Sequence, residues 1–334
     1  MHAKWVDSVL PRHQALTRTI CSLLEGLLRK RSVDFLSVEG RTKDRMGIIE
    51  KIERKKYERP SNQLTDISGI RIVTFLESGL DETCALIREI FEIDEVNSLD
   101  KSDLLKVDQI GYRSVHSVCT LGDDRLALPE FADFGDLKFE IQVRTVLQHA
   151  WAELAHDRSY KFSGKLPATI ERKMNLYAGM LELADSGFQE LSDEIDEYSA
   201  AVSSRTAAGD LNIEINSTST GQYLQNKTSE LGLQISDDGV HSDIIEELKR
   251  FRVRNLRDLD SLFSKDFIDA YRKQEYSTTM NGLCRDLMIF ADIDRYFADA
   301  YSGWHIQPDE DFQLPREKYT EDEIRKIISM YESD

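Results

Sequence analysis

Four short stretches carry residue types and spacings suited to handling a polyphosphate. In GRTKDRMGIIEKIERKK (residues 40–56), Arg41 and Lys43 alternate in an extended segment, and Lys51, Arg54 and Lys55 follow on a helix. Several cations converging near a helix start can hold a triphosphate. In LTDISGIRIV (64–73), Asp66 stands just before an apolar strand and Arg71 sits within it. A carboxylate at a strand edge suits magnesium, which takes hard oxygens and shares its shell with substrate phosphates and waters. In GYRSVH (111–116), Gly111 permits close backbone approach and Tyr112 offers a flat ring on which a base can stack. In FEIQVRT (139–145), Phe139, Ile141 and Val143 alternate with Glu140, Gln142 and Arg144, so period two sends three apolar side chains to a core and Glu140 to the other face. Taken alone, that fragment reads first as a half-exposed strand with a solvated row.

The elements that position these residues are legible in outline. Leu16, Ile20, Leu23, Leu24 and Leu27 fall at helical spacing over residues 12–30. A basic helix is expected over about 44–58, ended by Pro60, and DETCALIREIFEI (81–93) reads as another. Strands are expected in 64–76, 111–121 and 137–144, and Thr145 can cap a long helix over VLQHAWAELAHDRSYK. The fold class expected is α+β, a mixed sheet flanked by helices. Ile170, Met174, Tyr177, Leu181, Ala184, Phe188, Leu191, Ile195 and Tyr198 then form a sustained heptad stripe, which suits packing on its own domain or pairing of subunits. Residues 201–240, rich in Ser, Thr, Gly and Asn, are expected to be a linker, and 241–334 a small acidic helical module. The first domain thus spans 1–200.

Composition narrows the function classes. The chain has 334 residues and a net charge of −18, which argues against broad affinity for nucleic acid. Residues 29–59 nonetheless carry a net charge of about +5, a local strip that suits a compact polyanion. The N-terminus lacks a signal-peptide pattern and no stretch approaches a membrane span, so a cytoplasmic protein is expected. Cys21, Cys84, Cys119 and Cys284 form no CxxC pair and read as reduced thiols.

GRTK, DISGIR, GYRSVH, EIQVRT and WAELAHDRSYK, in this order, closely resemble the synthetase domain of the RelA/SpoT family of alarmone synthetases. The resemblance covers roughly residues 12–200. It implies a nucleotidyltransferase-like sheet and transfer of the β,γ-pyrophosphate of ATP to the ribose 3′-hydroxyl of GDP or GTP. By the same resemblance Glu140 serves the acceptor hydroxyl as base, magnesium ligand or both, and Asp66 holds the magnesium. Arg41 and Arg71 would stack on adenine, Lys43 and Lys51 would bind its phosphates, and Tyr112 would stack on the acceptor base. Gln142, Arg144 and His156 match positions that line or brace the pocket. A homo-oligomer through the 170–198 helix also fits the family.

Two departures bear on the acceptor. Gly47 stands where family members often have serine, and Asp108 stands where many have a phosphate-binding lysine, a role that Lys106 or Lys101 would have to take. A toxin-type member acting on tRNA 3′ ends or adenosine nucleotides is therefore the second expectation, with the C-terminal module inhibitory or partner-sensing. His2 and His13 alone precede the synthetase motifs, so alarmone hydrolysis is not expected. His149, Glu153 and His156 share a helix face without the order or further ligand of a zinc site. Ser114 and His116 share a strand face without a third member, which argues against a hydrolase triad.

Overall fold

The computed structural model describes residues 2–100, 114–135, 137–161, 166–236, 238–273, 278–307 and 311–331, without the side chains of 99–100 and 156–161. It divides into two compact units, Met1–Leu191 and Ser192–Asp334.

Unit 1 is built on six strands: β1 (Phe35–Thr42), β2 (Ser68–Thr74), β3 (Glu92–Ile93), β4 (Leu99–Asp100), β5 (Val115–Thr120) and β6 (Phe139–Thr145). Their order is β1-β2-β6-β5-β3, with β4 also pairing β5. β2 and β6 run parallel at the centre, and the other pairs are antiparallel. The sheet is mixed, as expected. The parallel pair is flanked by α1 (His2–Lys30), α3 (Glu77–Ile90) and α4 (Val146–Lys161); α2 (Arg45–Lys55) packs on α1, and α5 (Ala168–Ala207) follows α4. One sheet face is the core. Ile70 and Ile72 of β2 and Phe139, Ile141 and Val143 of β6 pack with Leu16, Ile20, Leu24 and Leu28 of α1. That is the apolar half of the period-two pattern, and it leaves the polar half on the opposite face.

Thr145 caps α4 as expected. Its hydroxyl accepts from the Gln148 amide at 3.2 Å, while its own amide donates to Gln148 Oε1 at 3.1 Å. The same hydroxyl donates to Asp185 Oδ2 of α5 at 2.5 Å. Ala178 and Asp185, one heptad apart, are the buried residues on the unit 1 part of α5. Of the heptad stripe, Ile170, Tyr177, Phe188 and Leu191 are exposed, while Met174, Leu181 and Ala184 are half-buried.

α1 contributes one polar group to the interior. His13 is 3% exposed, with Nδ1 2.9 Å from Ser68 Oγ at the start of β2. Burial, helped by the charge of Arg12, pushes its pKa down to about 4. The unfolded chain binds a proton here near pH 6.5, whereas the folded chain does so only near 4. His13 therefore stabilises unit 1 fully above pH 6.5, and that contribution is lost as the pH falls towards 4, by ~3 kcal/mol at most. His13→Gln is expected to flatten the pH dependence of the urea midpoint between pH 6.5 and 4. Parallel curves for the two proteins would contradict this account.

Unit 2 is helical apart from a short parallel pair, Ile235–Ser236 with Thr278–Thr279. The stretch 201–240, expected as a linker, belongs to this unit. It carries α6 (Ser217–Leu231), and Ile213, Ile215, Tyr223, Leu224, Leu233 and Val240 are buried in the unit's core. The first domain, expected to end at 200, is followed directly by the second unit from Ser192, within α5, with no linker at 201–240 between them. At the centre of the unit Glu247 is fully buried and fully served. It accepts from Arg285 at 2.9 and 3.1 Å, from Tyr296 at 2.7 Å and from Ser302 at 2.6 Å. A buried carboxylate is tolerated only with such complete pairing.

Candidate active site

The polar face of the sheet is organised by strand register. Arg41 lies opposite Gly69, Gly69 opposite Glu140, and Glu140 opposite Val118. In the next row Glu39 lies opposite Arg71, Arg71 opposite Gln142, and Gln142 opposite His116. Gly69 puts no side chain between Arg41 and Glu140, so the floor is open there. The result is a cavity of about 420 Å³ lined by Arg41, Lys43, Asp66, Arg71, Glu140 and Gln142, with Glu39, Gly69 and Glu153 among the other walls. That volume lies in the range of small-molecule sites.

Asp66 is the electrostatic centre of one wall. Its Oδ2 accepts from Lys43 and, at 2.5 Å, from Lys51, while its Oδ1 is buried and has no hydrogen-bond partner among the described residues. Burial raises the Asp66 pKa, but the hydrogen bonds and charges of the two lysines outweigh it and hold the carboxyl below its ordinary value. Lys51 reaches this point because α2 starts directly after Lys43: Asp44 caps the helix through the Gly47 amide at 2.8 Å. Gly47 serves here as the capped residue.

Glu140 is the second carboxylate. Burial raises its pKa, and the His116 hydrogen bond and charge outweigh that and bring it below the ordinary value. The nearby Asp66 charge pushes the other way. An unpaired buried oxygen on Asp66 and a second carboxylate in the same cavity fit a hard divalent ion such as magnesium, whose remaining ligands come from substrate and water. Arg71 donates to Glu153 Oε1 at 3.0 Å, and Arg144 donates to Gln142 Oε1 at 2.8 Å.

The structure thus brings Arg41, Lys43, Lys51, Asp66, Arg71, Glu140, Gln142 and Arg144 into one neighbourhood. Tyr112 and Lys106 lie outside the described residues, as does the side chain of His156. Sequence reasoning missed three participants. His116 was paired only with Ser114, Glu153 was read as a neighbour of histidines, and Glu39 was not singled out. Period two placed His116 on the polar face, but its partner depends on the register of β5 against β6.

Unit 1 is therefore an α+β domain whose exposed sheet face holds clustered cations and two carboxylates around one cleft. Residues 40–165 match the family model described as "Region found in RelA / SpoT proteins", and the chain carries a RelA/SpoT domain over that range. The chain is 27% identical over 168 residues to the GTP pyrophosphokinase YjbM of Bacillus subtilis (strain 168), covering 50% of this chain and 76% of that protein. It is 24% identical over 172 residues to the GTP pyrophosphokinase YwaC of the same organism, covering 47% and 74%. Among solved structures, the small alarmone synthetase 1 from Bacillus subtilis aligns with 24% identity and a TM-score of 0.47, over 58% of this chain and 98% of that one. Among the described residues, no helix is long and apolar enough to cross a membrane.

Proposed function

We propose that unit 1 transfers the β,γ-pyrophosphate of ATP to the ribose 3′-hydroxyl of GDP or GTP, making ppGpp and pppGpp. The observation that carries this reading is the placement of Lys43, Lys51, Asp66 and Glu140 around one cleft in a RelA/SpoT domain. Two relatives named as GTP pyrophosphokinases support it. In this reading the acceptor hydroxyl oxygen attacks the β-phosphorus, the bond from that phosphorus to the α,β-bridging oxygen breaks, and AMP leaves. Glu140 takes the hydroxyl proton. Lys43 and Lys51 hold the phosphates, and Arg41 and Arg71 flank the adenine. Asp66, with Glu140 beside it, would hold a magnesium ion, which supplies positive charge to the phosphate oxygens. Tyr112 would stack on the acceptor base, with Lys106 near its phosphates and Gln142, Arg144 and His156 bracing the pocket.

The test uses γ-labelled ATP, magnesium and the purified full chain, incubated separately with GDP, GTP, AMP, ADP and deacylated tRNA. A labelled guanosine product is expected. Label on tRNA or an adenosine nucleotide alone would keep the chemistry and select the toxin-type reading. No transfer to any acceptor would overturn both.

We further propose that copies of the chain pair through the unit 1 part of α5. Leu176, Tyr177, Met180, Leu183, Phe188 and Leu191 are exposed there, an apolar surface of a kind that marks interfaces. Light scattering that finds a monomer at every concentration would remove this proposal.

A further inference from the structure

We infer that His116, itself held by Ser114, is a positioning residue that fixes the orientation of the Glu140 carboxylate for proton abstraction. This inference rests on the reading of Glu140 as the base. It comes from a chain of three hydrogen-bonded side chains. His116 Nδ1 lies 2.5 Å from Glu140 Oε1, and His116 Nε2 lies 2.9 Å from Ser114 Oγ. An ionised carboxylate only accepts hydrogen bonds, so Nδ1 carries the proton. Nε2 shares the ring's second hydrogen bond with the Ser114 hydroxyl. Ser114 thus anchors the far side of the ring whose Nδ1–H faces Glu140.

The bond order Ser–His–acid is that of a nucleophilic triad, and the exposure argues against that use. Ser114 is 1% exposed, so its hydroxyl does not face a substrate. The chain of bonds runs the other way, from a buried anchor to a carboxylate in the cleft.

The register explains why His116 serves Glu140. Directly opposite His116 on β6 is Gln142, not Glu140. Gln142 Oε1 is taken by Arg144 at 2.8 Å. Val118 is the residue opposite Glu140 and offers no polar group. The imidazole therefore reaches diagonally along the strand pair to the carboxylate, a separation that a ring can span. Asp66 carries like charge in the same cavity and repels Glu140; the His116 bond is the larger of the two side-chain hydrogen bonds that hold the carboxylate against it, the Gln142 side chain giving the other. A base free to turn away from that charge would leave the attacking hydroxyl. A misplacement of about 1 Å is enough to cost ~100-fold in rate.

The test compares His116→Ala, His116→Asn and Ser114→Ala in the full chain, with folding checked by circular dichroism. His116→Ala is expected to lower kcat by ~100-fold, with KM for both nucleotides within about threefold of wild type. Asn can place a donor near the position of Nδ1, so His116→Asn is expected to recover at least tenfold of that loss. Ser114→Ala should fall between. If His116→Ala raises KM for the acceptor and spares kcat, or if a folded His116→Asn is as slow as the alanine variant, the inference is wrong. Should His116→Ala fail to fold, the Asn and Ser114 variants decide alone. One measurement is independent of turnover. Nitrogen NMR of the imidazole should show a protonated, hydrogen-bonded Nδ1 in wild type and a changed signature in Ser114→Ala. An unprotonated Nδ1 in wild type would overturn the inference even in an active enzyme. A protein with the expected Nδ1 signature that transfers nothing would instead refute the proposed function.

Discussion

Glu140→Gln is expected to reduce pyrophosphate transfer by ~10²–10⁴-fold, the range that a positioned general base supplies. The substitution keeps the volume and keeps an oxygen to accept from His116, whose Nδ1 lies 2.5 Å from Glu140 Oε1. What it removes is the ability to take the hydroxyl proton. It also removes a charge whose hydrogen bond and attraction to His116 outweigh burial and the repulsion of Asp66, so the folded state loses a net favourable interaction. Thermal stability should therefore fall modestly while the rate collapses. Affinity for ATP should change little, because the phosphates are assigned to Lys43 and Lys51. Rapid-quench single turnovers report the chemical step, and a thermal melt reports the fold. A variant that retains more than a tenth of the wild-type single-turnover rate would remove Glu140 from its role. A variant that melts well below wild type would mean that the charge is structural.

Most of the synthetase-like unit was legible because its signals are local. Alternation in residues 139–145 marks a strand and names the face that carries Glu140, whatever the strand pairs with. Thr145 before an apolar run marks a helix start, and α4 begins there. Register is a different kind of information. Nothing in the chain between 114 and 120 states that β5 lies antiparallel to β6 with His116 diagonal to Glu140. Ser114 and His116 were therefore visible as a pair without the acid that completes them. The orphaned oxygen of Asp66 is likewise a property of packing, since it depends on both lysines choosing the other oxygen.

The second unit was misread for a compositional reason. Its opening stretch is dominated by polar residues. The core positions Ile213, Ile215, Tyr223, Leu224 and Leu233 are spaced without a helical or strand period over the whole segment. Within α6 the capping box of Asn216 and Ser219 was available as a start signal, but Ser in place of Glu at the third position weakens it. The heptad stripe left open whether it packs on its own domain or pairs subunits. It marks a real helix, but unit 1 buries Ala178 and Asp185 of α5, residues too small or too polar to register as core.

Asp66→Asn is the second substitution with a large expected effect, and its two halves differ in sign. Without nucleotide, Lys43 and Lys51 both donate to Asp66 Oδ2, so the cations assigned to phosphate are occupied by the carboxylate assigned to metal. A triphosphate must draw both lysines away and leave Asp66 buried and uncompensated. A divalent ion on Asp66 removes that penalty, so metal and ATP each strengthen the binding of the other. Asparagine is neutral and holds the lysines far less strongly. ATP binding in EDTA should therefore tighten by about tenfold, or ~1.4 kcal/mol, a modest part of what hydrogen bonds to a charged group contribute. Transfer should fall by at least ~10³-fold, because a neutral amide cannot hold the ion that supplies charge to the phosphates. Calorimetric titration of ATP with magnesium and with EDTA separates the two effects. Wild type should show a large gain in affinity on adding magnesium, and the variant a small one. Weaker binding of metal-free ATP by Asp66→Asn than by wild type would mean that the carboxylate organises the lysines for phosphate and does not compete with it.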